Sequence, residues 1–340
     1  MITLTLVRHG ESTDNLKGIW AGWKDAPLSN HGLNQAKAVG EYFAQYPINA
    51  IYASPLKRAL TTAQQIEKQN QSKPPLTITP LIREQHFGEA EGNPWAPSIT
   101  PNPKGPNDPN ATGRLGVIDP KTNKKVYPVQ PGRSAKFPAG ESQDDVAERT
   151  GEAFDEFVMP FVRKSVGKPA GEVNVLFVSH GIAISETIGA IYSRATNGRG
   201  VDPNSWSGGL RNTAWSRLVI GMEGEKLEYD GEELHVEVGS PHNEGVDDGE
   251  KLADAVESAN PPTPEIEKRE PRHKEIVVKV VSVNQYTHLD GVVRQKGGIG
   301  SMAHDDTQKA ITDFFGGGGK SKEEKEKDAM DVDTSTGSNL

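Results

Sequence analysis

Cysteine is absent from all 340 residues. That excludes disulfides, a thiol nucleophile and zinc–thiolate sites, and it suits a reducing interior. Aromatic residues are scarce at 6%, and hydrophobic residues reach only 34%, with a mean hydropathy of −0.62. Part of such a chain is expected never to join a core. No apolar run approaches the length that spans a bilayer, and residues 1–7 are too short and lack the basic flank of a secretory leader. Positive charge is in deficit too. A net charge of −9 argues against broad binding of nucleic acid or of an acidic membrane surface. The nine histidines show no His-Glu-x-x-His spacing and no clustered carboxylates beside them, so no metal site is expected. These absences describe a soluble, cytoplasmic protein without membrane or direct nucleic-acid contacts.

Two short strings stand out against this background. They are LVRHGEST at residues 6–13 and FVSHG at residues 177–181, each an apolar run that ends abruptly in His-Gly. Ile2, Leu4, Leu6 and Val7 read as a buried strand, with Gly10 turning the chain out of it. Val173, Val175, Leu176, Phe177 and Val178 read as a central parallel strand covered on both faces. Both histidines therefore fall at carboxyl ends of strands, where open α/β sheets gather their ligands.

Alternation continues between and beyond these strings. Helices are expected at residues 32–45, from Ser54-Pro55 to Ile66 with Ser54 as N-cap, at 142–161 and at 182–193. Short strands are expected at residues 48–53, 76–78 and 214–222, a hairpin at 227–238, and a late strand at 276–283. This pattern implies a three-layer α/β fold around a doubly wound, mostly parallel sheet. Residues 93–138, dense in Pro, Gly and Asn, read as an irregular insertion, and 239–274 as an acidic disordered loop. The folded domain is expected over 1–292, with a disordered tail over 293–340.

A strand-Arg-His-Gly-Glu motif followed by a distant strand-Ser-His-Gly resembles the histidine phosphatase superfamily, which also contains the phosphoglycerate mutases. The resemblance covers roughly residues 1–92 and 140–222, with a weaker echo at 276–289. It implies a pocket for a phosphoryl group formed by Arg8, His9, Arg58 and His180, with Asn15, Gly22 and Gly181 also contacting substrate. The roles make chemical sense. Arg8 and Arg58 offer planar forks matched to phosphate oxygens. His9 is the expected nucleophile and His180 the donor to the phosphoryl oxygens. In LIREQHFGEAEG, Leu81, Glu84, Gly88 and Gly92 match the family pattern that carries the general acid, which places that role on Glu84 with a pKa raised by burial. The resemblance implies no metal and no cofactor.

The chain departs from the mutase pattern. The second His-Gly is followed by Ile182-Ala183-Ile184-Ser185, where mutases carry Asn-Ser-Leu-Arg, and their tandem arginine pair has no counterpart. FPAGES at residues 137–142 resembles the broad-specificity phosphatase branch instead. The reading is a phosphomonoesterase working through a phosphohistidine on a small phosphorylated metabolite. A phosphoglycerate mutase-like phosphotransferase is the first alternative.

Two segments extend the reading. Residues 93–138 hold seven basic residues (Lys104, Arg114, Lys121, Lys124, Lys125, Arg133 and Lys136) against Asp108 and Asp119. They form either a lid for a second anionic group or a merely solvated loop. QKAITDFF at residues 308–315 resembles the PIP box that binds replication sliding clamps, with Gln308, Ile311, Phe314 and Phe315 at the required positions. It implies either a clamp-binding peptide that folds on its partner or a chance match. If the motif is used, the protein also enters the nucleus. The second alternative follows from it, a binding protein on this fold recruited to the clamp.

Overall fold

A computed structural model describes residues 1–96, 117–118, 123, 125–129, 132–198, 210–229 and 275–304. In chain order these residues form β1 (Ile2–Arg8), α1 (Asn30–Tyr42), β2 (Ala50–Ala53), α2 (Lys57–Gln69), β3 (Leu76–Ile78), β4 (Trp95–Ala96), β5 (Val117–Ile118), β6 (Lys125–Pro128), α3 (Gln143–Ala153), α4 (Met159–Lys164), β7 (Asn174–Ser179), α5 (Gly181–Arg194), β8 (Trp215–Met222) and β9 (Ile276–Gln285). Six strands make the main sheet in the order β3-β2-β7-β1-β8-β9. The pairs β3–β2, β2–β7 and β7–β1 are parallel, whereas β8 and β9 join antiparallel. The expected α/β fold is present.

Side-chain alternation explains the layers. Along β1 and β7, Ile2, Leu4, Leu6, Val175 and Phe177 point to one face, while Val7, Leu176 and Val178 point to the other. The first face is covered by Phe154, Val158 and Val162 and by Ile184, Ile188 and Ile191 of α5. The second is covered by Val39 of α1, by Phe43 at its C-cap, and by Ala63 and Ile66 of α2. Each fully buried aliphatic side chain in these layers stabilises the fold by about 1.5–3 kcal/mol. Between α3 and α4 the helix widens into one π turn, Phe154–Val158, and Phe157 stacks on Tyr52 at 4.7 Å.

Several expectations are corrected. Ser54 does not cap α2; the cap position is Leu56, and the amide of Lys57 is bound by the Asp25 carboxylate at 2.6 Å. Residues 227–229 are not a strand, since no backbone ladder pairs them among the described residues; the Tyr229 hydroxyl accepts from Arg217 at 3.0 Å. The insertion is not wholly irregular: β4, β6 and β5 form a small sheet in that order. Tyr127, Val129 and Phe137 bury themselves against Trp20, Phe87, Ala90 and Ile182. The folded unit extends past residue 292 to His304, since Ile299–Ser301 forms a 3₁₀ turn and His304 N–H donates to the Leu28 carbonyl. The rest of the insertion, residues 234–238 of the hairpin, the acidic loop 239–274 and the tail from 305, with Gln308–Phe315, lie outside the described residues. No described helix is long and apolar enough to cross a membrane.

Candidate active site

Parallel pairing of β1 with β7 sets Arg8 opposite Ser179, so the two strands end together and their next residues, His9 and His180, meet. Their rings lie 5.0 Å apart at 57°, both nearly inaccessible to solvent. The His9 backbone is held on both sides. Its amide donates to the Ser179 carbonyl, and its own carbonyl accepts from the Thr213 amide at 3.2 Å and the Asn212 side chain at 3.1 Å.

Hydrogen bonding assigns the proton on each ring. His9 Nδ1 sits 2.6 Å from the Gly10 carbonyl, which can only accept, so Nδ1 carries the proton and Nε2 keeps its lone pair. His180 is the mirror case. Its Nδ1 accepts from Arg58 Nε at 3.2 Å, so Nε2 carries the proton and donates to Ser54 Oγ at 2.8 Å. Burial, reinforced by Arg58, holds both imidazoles well below the usual histidine range. Both are neutral at pH 7.

Arg58 stands at the second position of α2, fully buried, and its guanidinium donates to the Gly22 carbonyl at 2.7 Å and the Lys24 carbonyl at 3.0 Å. Gly22 adopts a φ of +49°, and a Cβ there would strike the Glu91 carboxylate. A side chain there would be strained and would displace the Glu91 carboxylate, which favours glycine where the backbone meets Arg58. Arg8, at the end of β1, donates to the Leu210 carbonyl. Gly181 opens α5, and the space where its Cβ would stand is unfilled within 4 Å. Asn15 lies in the turn after β1, its side-chain carbonyl accepting from the Ser12 amide and hydroxyl at 2.9 Å each.

Glu84 reaches the same place from the loop after β3. Its carboxylate accepts from the Gln85 amide at 2.9 Å and the Ala183 amide, in the first turn of α5, at 3.3 Å. Burial nevertheless pushes its pKa up. The loop that carries it is clamped by Arg149, which donates to the carbonyls of Leu81, Arg83 and Glu84 and pairs with Glu141. Trp23 donates its indole N–H to the Glu84 carbonyl at 2.7 Å and contacts both the Arg83 guanidinium, 3.4 Å from its ring centroid, and the His86 ring, 4.5 Å away.

The structure thus brings Arg8, His9, Arg58, Glu84 and His180 into one largely buried cluster at the carboxyl ends of β1 and β7. Sequence reasoning missed Ser54 as a partner of His180, Arg149 as the clamp on the Glu84 loop, and Asn212 and Thr213 behind His9. Ser54 alone had a signal, as its place in Ser-Pro-Leu-Lys-Arg fixes it beside Arg58. The insertion's Arg133 pairs with Asp144 at 3.1 Å and forks onto Glu186 at 3.1 and 2.5 Å, so it ties the insertion to α3 and α5 instead of waiting for a substrate anion. Lys136 likewise pairs with Asp145. Lys125 is exposed over the Tyr127 ring, and Arg114 and Lys124 lie outside the described residues. Among the described residues no three His, Asp or Glu side chains gather as a metal-ligand set.

Residues 4–112 match the sequence model of the histidine phosphatase superfamily (branch 1), a span that holds the Arg8-His9 motif, Arg58 and Glu84. The chain is similar to the 2,3-bisphosphoglycerate-dependent phosphoglycerate mutase of Chlamydia trachomatis, 27% identical over 213 residues, covering 55% of this chain and 83% of that one. It is 29% identical over 192 residues to the same-named enzyme of Bartonella henselae, covering 56% and 81%. Among solved structures, a mycobacterial glucosyl-3-phosphoglycerate phosphatase complexed with VO3 aligns with a TM-score of 0.47 at 23% identity, over 64% of this chain and 91% of that one.

Proposed function

We propose that this member of the histidine phosphatase superfamily hydrolyses a small phosphomonoester through a phosphohistidine on His9. The carrying observation is the pair of buried, neutral histidines with opposite tautomers beside a carboxyl group of raised pKa. His9 Nε2 attacks phosphorus while the bond to the ester oxygen breaks, and Glu84 gives its proton to the departing oxygen. Arg8, Arg58 and the His180 Nε2–H, which exchanges its bond to Ser54 Oγ for one to the substrate, hold the three equatorial oxygens as charge spreads over them. Water then attacks the phosphohistidine, the P–N bond breaks, and Glu84 takes back a proton.

The pKa directions fix the pH profile. His9 stays neutral until pH falls below its lowered value, and Glu84 stays protonated until pH rises above its raised one. For an alkyl phosphate, kcat/KM is therefore bell-shaped, with its acid limb below the ordinary histidine range and its alkaline limb above the ordinary carboxylate range. Glu84→Gln should abolish the alkaline limb and slow alkyl phosphates by about 10²–10⁴-fold, while nitrophenyl phosphate, whose leaving group needs little proton, loses far less. Equal losses on both substrates would mean that Glu84 does not act as the acid.

A mutase reading is favoured by the names of the relatives at 27–29% identity. Against it, Ile182, Ala183 and Ile184 are buried and Ser185 bonds back to the Gly181 carbonyl, so the first turn of α5 offers no clamp for a reorienting bisphosphate. Assay of 3-phosphoglycerate with and without its bisphosphate separates the two: free phosphate is expected, isomerised ester is not. The tail motif is a separate proposal. A peptide of residues 305–318 is expected to bind a sliding clamp at roughly micromolar affinity, and calorimetry without heat of binding removes the clamp and the nucleus from the account.

A further inference from the structure

The segment 293–304 crosses the loop that follows the candidate nucleophile. The Asn30 amide donates to the Met302 carbonyl, the His304 amide to the Leu28 carbonyl, and the Asn30 side chain to the Ile299 carbonyl at 2.9 Å. From this strap Arg294 forks onto both oxygens of Glu11, one at 2.9 Å. The Glu11 side chain is only 5% exposed, and Ser29 Oγ donates to the same carboxylate at 2.6 Å. The Arg294 side chain is itself 39% exposed, but its fork together with the Ser29 hydroxyl holds a buried carboxylate whose partner lies 283 residues away in sequence, and so limits where Glu11 can lie.

Glu11 matters because of the peptide unit it shares with Gly10. The carbonyl end of that unit is the group 2.6 Å from His9 Nδ1, and its amide end donates to Gln35 Oε1 at 2.9 Å. The unit is planar, so turning either end turns the other. Gln35 is buried and its own amide nitrogen bonds His31 Nε2, which sets its direction.

We propose that Arg294 is a positioning residue: through Glu11, and together with Gln35, it holds the Gly10–Glu11 peptide so that its carbonyl keeps the proton on His9 Nδ1 and leaves Nε2 free to attack. This inference rests on His9 being the nucleophile, yet its first readout needs no turnover. In ¹⁵N spectra of the full-length protein, wild-type His9 is expected as the Nδ1–H tautomer. Arg294→Ala and Gln35→Leu should each shift the ring toward a mixture with the Nε2–H form.

Both variants should lower kcat on an alkyl phosphate by about ten- to a hundredfold with KM changed little, as a small misplacement of the attacking atom predicts. Arg294→Lys, which restores the charge but not the fork, should recover part of both signals. If Arg294→Ala does not fold, Gln35→Leu and Arg294→Lys carry the same test, because each leaves the Glu11 carboxylate with a cation. A folded Arg294→Ala or Gln35→Leu protein that keeps the wild-type tautomer, or that shifts it without loss of kcat, overturns the proposal. A wild-type protein with the expected tautomer but no phosphatase activity would instead overturn the reading of function and leave the positioning intact.

Discussion

Burial keeps three histidines neutral, and each makes the folded state acid-sensitive. His9 and His180 are lowered well below the ordinary range, and burial pushes His288, whose Nε2 lies 3.0 Å from Thr213 Oγ1, down to about 4. The unfolded chain takes up these protons near pH 6.5 while the folded chain does not. Stability is therefore fully present above that pH and is lost as pH falls toward the lowered native values. For His288 alone the loss between pH 6.5 and 4 is at most about 3 kcal/mol. Urea unfolding of His288→Gln should show a shallower decline over that window than wild type; an equal decline would place the acid sensitivity elsewhere. At this scale the sequence was informative. Arg8, His9, Arg58 and His180 were legible because strand ends and Ser-Pro-x-x-Arg spacing fix them locally. Ser54's turn toward His180 and the Asn212–Thr213 support behind His9 were not, since they exist only once distant loops meet.

Among the elements, α3 and α5 are joined to the insertion through one buried charge. Glu186 on α5 has a side chain only 4% exposed, and Arg133 neutralises it while also reaching Asp144 on α3. Burial raises the pKa of Glu186 even with this partner. Arg133→Ala leaves that carboxylate buried without a cation, which costs about 3–5 kcal/mol, while Arg133→Ala with Glu186→Leu should recover much of it. Thermal unfolding of the two variants decides this: equal destabilisation would deny the pair its role. The helices and main-sheet strands were readable because their apolar periods are intact. The small sheet β4-β6-β5 was not, because its strands are two to four residues long and its buried anchors, Tyr127, Val129 and Phe137, are scattered among Pro, Gly and Asn. Of the expected lid cations, Arg133 and Lys136 were misjudged because charge can be counted in a sequence, but the partner that takes it cannot.

For the whole molecule, the compact unit that holds the candidate site runs from Met1 to His304. Every group placed at the candidate site lies within it, so truncation after His304 should leave thermal stability and phosphatase activity unchanged. Truncation after Val292 removes Arg294 and the backbone pairing of residues 299–304 with Leu28 and Asn30. It should lower the unfolding temperature by several degrees and reduce activity, and two truncations indistinguishable in the melt would show that the strap adds nothing. The sequence placed this boundary at 292 because glycine and charge dominate from there on. Arg294 is one more polar residue until its buried partner, Glu11, is seen.

If His9 is the nucleophile, it carries the phosphoryl group between the two half-reactions. Brief reaction of the full-length protein with a phosphorus-labelled ester, stopped in alkali, should leave acid-labile label on wild type. Mass spectrometry should place that label on His9, and His9→Ala should carry none. Label persisting in His9→Ala, or wild-type turnover with no labelled protein at any time point, would contradict the account.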